Sequence, residues 1–73
     1  MSLDYIKNQR GLPFVEKGMR VEVNGRRGNI KGENASGNLN IVFDGEKKNS
    51  NCHPHWRIKY FNGDGSLIKE FGE

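Results

Sequence analysis

Met19-Arg20-Val21-Glu22-Val23-Asn24-Gly25-Arg26-Arg27-Gly28-Asn29-Ile30 is the stretch that decides the fold. From Met19 to Val23, apolar and charged residues alternate strictly, which is the two-residue period of a strand with one face buried. Asn24-Gly25 follows, a pair that accepts the positive φ angles of a two-residue hairpin turn. Gly28 to Gly32 then reads as the return strand, its glycines letting another backbone come close. An antiparallel hairpin is therefore expected here.

Similar signals continue outward from this hairpin. Glu33 to Gly37 is a polar loop. In Asn38 to Phe43 the residues Leu39, Ile41 and Phe43 share one face, and Asp44-Gly45 is a second turn. Lys47 to Asn51 has little apolar content and reads as a short edge strand, guarded by its lysines. Cys52-His53-Pro54-His55-Trp56 is a compact connector expected to hold one 3₁₀ turn, since Pro54 has no N–H for a ladder. Alternation resumes over Arg57 to Tyr60, Phe61 falls out of phase, and Ser66 to Lys69 is a candidate last strand pairing back on Ile58 to Phe61. Upstream, Ser2 is placed to cap a short helix from Leu3 to Gln9, which Gly11 suits as a terminator. Pro13 then biases Leu12 away from helix.

These elements make a mainly β protein of about five short antiparallel strands. So many short strands with tight turns lead us to expect a small barrel, because closure removes exposed edges. The barrel is expected over residues 19–71, with residues 1–18 forming a short helix and an apolar lead-in, all within one domain. Its expected core is Val21, Val23, Ile30, Leu39, Ile41, Phe43, Trp56, Ile58 and Tyr60, with Ile6, Phe14 and Leu67 over the ends.

A chain of 73 residues has room for a single domain. It carries 12 Lys and Arg against 9 Asp and Glu, a formal charge of +3. The charge is uneven: Lys17, Arg20, Arg26, Arg27 and Lys31 stand close in sequence against Glu22 alone. The guanidinium fork suits phosphate, so Arg20, Arg26, Arg27 and Lys31 are the candidate nucleic-acid-binding residues. Phe14 and the out-of-phase Phe61 are the candidates for a protein-interaction patch. Cys52, His53 and His55 are zinc-ligand types. Adjacent residues such as Cys52 and His53 rarely point at one centre, however, and no Cys-x-x-Cys half accompanies them. No metal or other cofactor is expected. Without a nucleophile, base and orienting group in a recognisable pattern, neither is an enzyme. The single cysteine forms no intramolecular disulfide, no apolar run is long enough to span a membrane, and the first seven residues have no apolar run of a signal peptide. A cytoplasmic protein without membrane contact, monomeric or weakly homodimeric, is expected.

The residues from Gly18 to Gly32 resemble the KOW-type segment of SH3-like domains in ribosomal proteins and transcription elongation factors. Gly18, Val21, Val23, Gly28 and Ile30 occupy the places of that pattern. Over most of the chain, Tyr5-Ile6, Gly11-Leu12-Pro13, Phe43-Asp44-Gly45-Glu46-Lys47-Lys48 and His53-Pro54-His55-Trp56-Arg57-Ile58-Lys59-Tyr60 are similar to small uncharacterised proteins of tailed phages and prophages. The usual form of the last motif there begins His-Pro-Thr-Trp, from which His55 departs. Both resemblances imply an SH3-like barrel. The first implies contact with RNA, nucleoproteins or polymerase; the second brings no known activity. The expected function is a small non-enzymatic binding module that contacts nucleic acid or a nucleoprotein through the basic hairpin. The alternative is a protein–protein interaction or structural module of phage or prophage origin, with a host or phage protein as partner.

Overall fold

In the computed structural model, which describes residues 3–72, Asn24 and Gly25 both take left-handed backbone, with φ of 51° and 86°. That turn joins β1 (Arg20–Val23) to β2 (Arg26–Glu33) in an antiparallel ladder that sets Val23 opposite Arg26 and Arg20 opposite Asn29. The hairpin read from the sequence is thus present. The proposed cap, Ser2, lies outside the described residues.

β3 (Leu39–Phe43) pairs with β2, and β4 (Ser50–Cys52) pairs with β3. The chain then returns to the other side of β1, where β5 (Ile58–Phe61) pairs, and β6 (Leu67–Phe71) pairs with β5. The result is one six-stranded antiparallel sheet in the order β4-β3-β2-β1-β5-β6. Its edges, β4 and β6, do not pair with each other, so the expected SH3-like barrel of about five strands is corrected to an open sheet with one short helix. Alternation and turn residues specify strands and their neighbours; closure depends on tilt and stagger, which local patterns do not encode. The edges are handled by other means. β4 is three residues long, and β6 carries Lys69 and Glu70. Lys47 and Lys48, expected in the edge strand, lie in the loop before it.

An open sheet leaves its apolar face to be covered. Val21, Val23, Ile30, Leu39, Ile41, Phe43, Cys52, Ile58 and Tyr60 form that face. Leu3, Ile6, Leu12 and Val15, from α1 (Asp4–Gln9) and the lead-in, are buried in the same cluster. Gly11 ends the helix with φ of 70°, and the Leu12 N–H closes back on the Lys7 carbonyl at 3.2 Å. This six-to-one closure turns Leu12 inward beneath the helix. Phe14 follows, edge-on to the Tyr60 ring at 5.3 Å. Residues 3–15 therefore supply part of the core itself.

Three local expectations need correction. Trp56, placed in the core from the sequence, is 45 % exposed. It stands in the bend before β5, where Arg57 takes a positive φ of 46°, so the strand alternation does not reach it. Leu67, expected over the core, is 50 % exposed. Tyr60 faces Lys69 and Phe61 faces Leu67, which leaves Ile68 as the extra residue of a β-bulge. Ile68 packs on the core in place of Leu67. The expected 3₁₀ turn is a single hydrogen-bonded turn, in which the Trp56 N–H donates to the His53 carbonyl at 3.3 Å. The Tyr60 hydroxyl secures this connector from within, donating to the buried Pro54 carbonyl at 2.7 Å.

Gly28 sits between Val21 and Phe43 in one cross-strand row. A Cβ there would lie 2.7 Å from the Val42 carbonyl oxygen and 2.9 Å from Ile41 Cγ2. Gly28→Ala is expected to cost roughly 1–3 kcal/mol in urea unfolding, because the obstacle includes backbone. Gly63→Ala, with nothing within 4 Å of its Cβ, is expected to stay within about 0.5 kcal/mol of the parent. Equal losses at both positions would contradict the close β2–β3 approach.

Candidate functional site

The basic residues of the first hairpin meet carboxylates. Arg20 donates through Nη1 and Nη2 to both Asp44 oxygens, each at 2.8 Å, and through Nη1 to Asn29 Oδ1 at 2.8 Å. The Arg20 hydrogen bonds hold the Asp44 carboxyl below the usual carboxylate range. Arg26 donates from Nη2 to Glu46 Oε2 at 2.6 Å, and its guanidinium lies 4.2 Å from the Phe43 ring centre. Arg27 Nε is 3.5 Å from Glu22 Oε1, while Glu22 Oε2 is 3.5 Å from Lys59 Nζ. Lys59 in turn stands 4.0 Å from Glu70. The register sets Arg27, Glu22, Lys59 and Glu70 opposite one another across β2, β1, β5 and β6. Charges of alternating sign therefore cross the outer face. Lys31 is the extra residue of a bulge between Ile30 and Gly32, and it is exposed. Among the described residues, Lys17 and Lys31 are the cations of this stretch without an ion-pair partner.

Asp44 was read from the sequence as a turn residue, and Glu46 follows that turn. They reach the arginines because β3 pairs with β2 and brings the second turn beside the first hairpin, where the Asp44 N–H donates to the Arg27 carbonyl at 2.9 Å. Only the long-range register reveals this.

Phe14 and Phe61, the two candidates for an interaction patch, line one groove. Val21–Tyr60 is the last ladder pair between β1 and β5 toward the start of β1. Beyond it a groove of about 510 Å³ is lined by Phe14, Met19, Phe61 and Ile68, together with Lys17 and Arg20. A smaller cavity of about 160 Å³ shares Arg20 and Phe61 with the groove and adds Arg27. Both aromatics are half-buried. Tyr60 braces Phe14, and the Arg27 guanidinium stands 5.5 Å from the Phe61 ring centre. Met19 and Ile68 were not anticipated as site residues; Ile68 arrives through the β6 bulge, which no alternation pattern marks.

The Cys52, His53 and His55 cluster serves the connector. The His55 N–H donates to His53 Nδ1 at 3.1 Å, and His55 Nε2 donates to the Arg10 carbonyl at 2.9 Å. The His55 ring packs on Phe71 at 4.7 Å. Burial pushes the Cys52 thiol above its ordinary pKa, which disfavours the reactive thiolate. Among the described residues, no group of three or more His, Cys, Asp or Glu side chains is arranged to hold a metal ion. No helix among them is long and apolar enough to cross a membrane.

Comparison with protein-family models, with curated proteins and with solved structures finds no match to this chain. The likeness to KOW-type and phage-encoded proteins thus rests solely on the residues that carry it. Fold and site define a mainly β, single-sheet protein with a groove of mixed apolar and charged lining at the parting of two strands.

Desolvation, and secondarily the charges of Arg10 and His55, lower the pKa of His53 from its ordinary 6.5. Its folded value lies below its unfolded one, so its stabilising contribution is complete above about pH 6.5 and lost as pH falls through the folded value. The thermal midpoint is expected to drop between about pH 7.5 and about pH 5. His53→Asn offers an oxygen to the same N–H two residues on, without titrating, and is expected to flatten that slope. An unchanged slope would contradict this role for His53.

Proposed function

We propose that this chain is a non-enzymatic protein-interaction module that receives a segment of a partner protein in the groove between Phe14 and Phe61. One observation carries the reading: two half-buried aromatics, distant in sequence, line one solvent-open groove together with Met19 and Ile68. Apolar concavities edged by polar groups are where partner side chains anchor. The arginines of the basic hairpin add support by contrast. Arg20 and Arg26 are already engaged by Asp44 and Glu46, which reduces what they offer to a phosphate chain.

Photo-crosslinking tests this directly. p-Benzoylphenylalanine placed at Phe61, and separately at the exposed Leu67, is irradiated in a lysate of cells that make the protein. The captured partner is then purified and titrated against the full chain. Crosslinking from position 61 is expected, with Phe61→Ala weakening the purified pair by about tenfold or more. Leu67→Ala is expected to leave affinity unchanged. A partner indifferent to Phe61→Ala would overturn the proposal.

A further inference from the structure

Arg27 differs from Arg20 and Arg26 in how its charge is met. Its contact with Glu22 is long, 3.5 Å, and is made through Nε. Arg20 commits both terminal nitrogens to Asp44, and Arg26 commits Nη2 to Glu46. The Arg27 side chain makes no hydrogen bond among the described residues: its ion pair with Glu22 is long, and its guanidinium lies 5.5 Å from the Phe61 ring centre. A guanidinium whose hydrogen-bond donors are unspent matches a carboxylate bidentately. Arg27 lines the smaller cavity that continues the groove past Phe61, and unpaired Lys17 lines the groove itself. Glu16 is the one carboxylate residue lining either cavity among the described residues.

We infer that the occupant of this groove is an acidic peptide segment with an apolar anchor. The anchor side chain fills the space between Phe14 and Phe61, and a neighbouring Asp or Glu side chain of the segment hydrogen-bonds the Arg27 guanidinium, which the long contact with Glu22 leaves without a hydrogen bond. A second acid on the other flank faces Lys17. The inference rests on the protein-interaction reading and adds the chemistry of the partner. The apolar wall of Phe14, Met19, Phe61 and Ile68 fits a peptide's apolar anchor, and Lys17 and Arg27 favour acidic neighbours.

Selection of a random dodecapeptide library on the full chain provides the test. Fluorescence anisotropy then compares the leading synthetic peptide with its Glu-to-Gln counterpart. Enriched peptides are expected to share an aromatic or aliphatic residue with Asp or Glu close beside it. Arg27→Gln is expected to weaken the acidic peptide by about tenfold and to leave the Gln counterpart unaffected. Amidating the peptide C-terminus is expected to change nothing; a loss on amidation would overturn the side-chain assignment. Enrichment of neutral or basic peptides that still depend on Phe61 would overturn the acidic inference and leave the groove reading standing. No enrichment, indifference to Phe61→Ala, or binding of a single-stranded oligonucleotide alone would overturn both.

Discussion

The apolar face of a single open sheet must be covered, and in this protein the cover is a short helix and an extended lead-in. Ile6 and Val15 retain no exposed surface, and Leu12 retains almost none. Each such side chain is worth about 1.5–3 kcal/mol when fully buried, against a net stability of about 5–15 kcal/mol for a whole domain. A helix of one or two turns is not stable alone, so it persists only by packing on the sheet. The sheet and its cover each supply what the other lacks.

Polar contacts fix where the cover lies. The Tyr5 N–H donates to Glu33 Oε1 at 3.0 Å, and Arg10 Nε donates to the Gly37 carbonyl at 3.2 Å, tying α1 and the residue after it to the end of β2 and the loop that follows. His55 reaches the Arg10 carbonyl from the connector, and Tyr60 reaches Pro54 from β5. The lead-in is thereby carried to the start of β1, where Phe14 rests on Tyr60 beside the parting of β1 from β5. The groove is a consequence of the cover: without the lead-in, Phe61 and Ile68 would have no facing wall.

The legible parts of this arrangement are those written in local chemistry. Asn24-Gly25 and Asp44-Gly45 announce their turns, Met19 to Val23 announces a half-buried strand, and Gly11 marks the end of a helix. Phe61 was conspicuous because it broke a period, and it does line the groove. What escaped is what depends on distant partners. Tight turns and short strands do not reveal whether a sheet closes, and here it stays open. Trp56 was expected in the core with Ile58 and Tyr60, but the positive φ of Arg57 leaves it in an exposed bend. Asp44 and Glu46 gave no sign that they answer Arg20 and Arg26, since the pairing exists only once β3 is in register. The bulge that exchanges Leu67 for Ile68 leaves no trace in alternation.

Whether the sheet depends on its cover is best measured by urea unfolding of a chain beginning at Glu16, set beside the full chain. A covered open sheet gives a truncated chain with no cooperative transition and no dispersed amide spectrum, its apolar face bare. A truncated chain that unfolds cooperatively at the same midpoint as the full protein would contradict this account, because it would show that residues 16–73 close their own core.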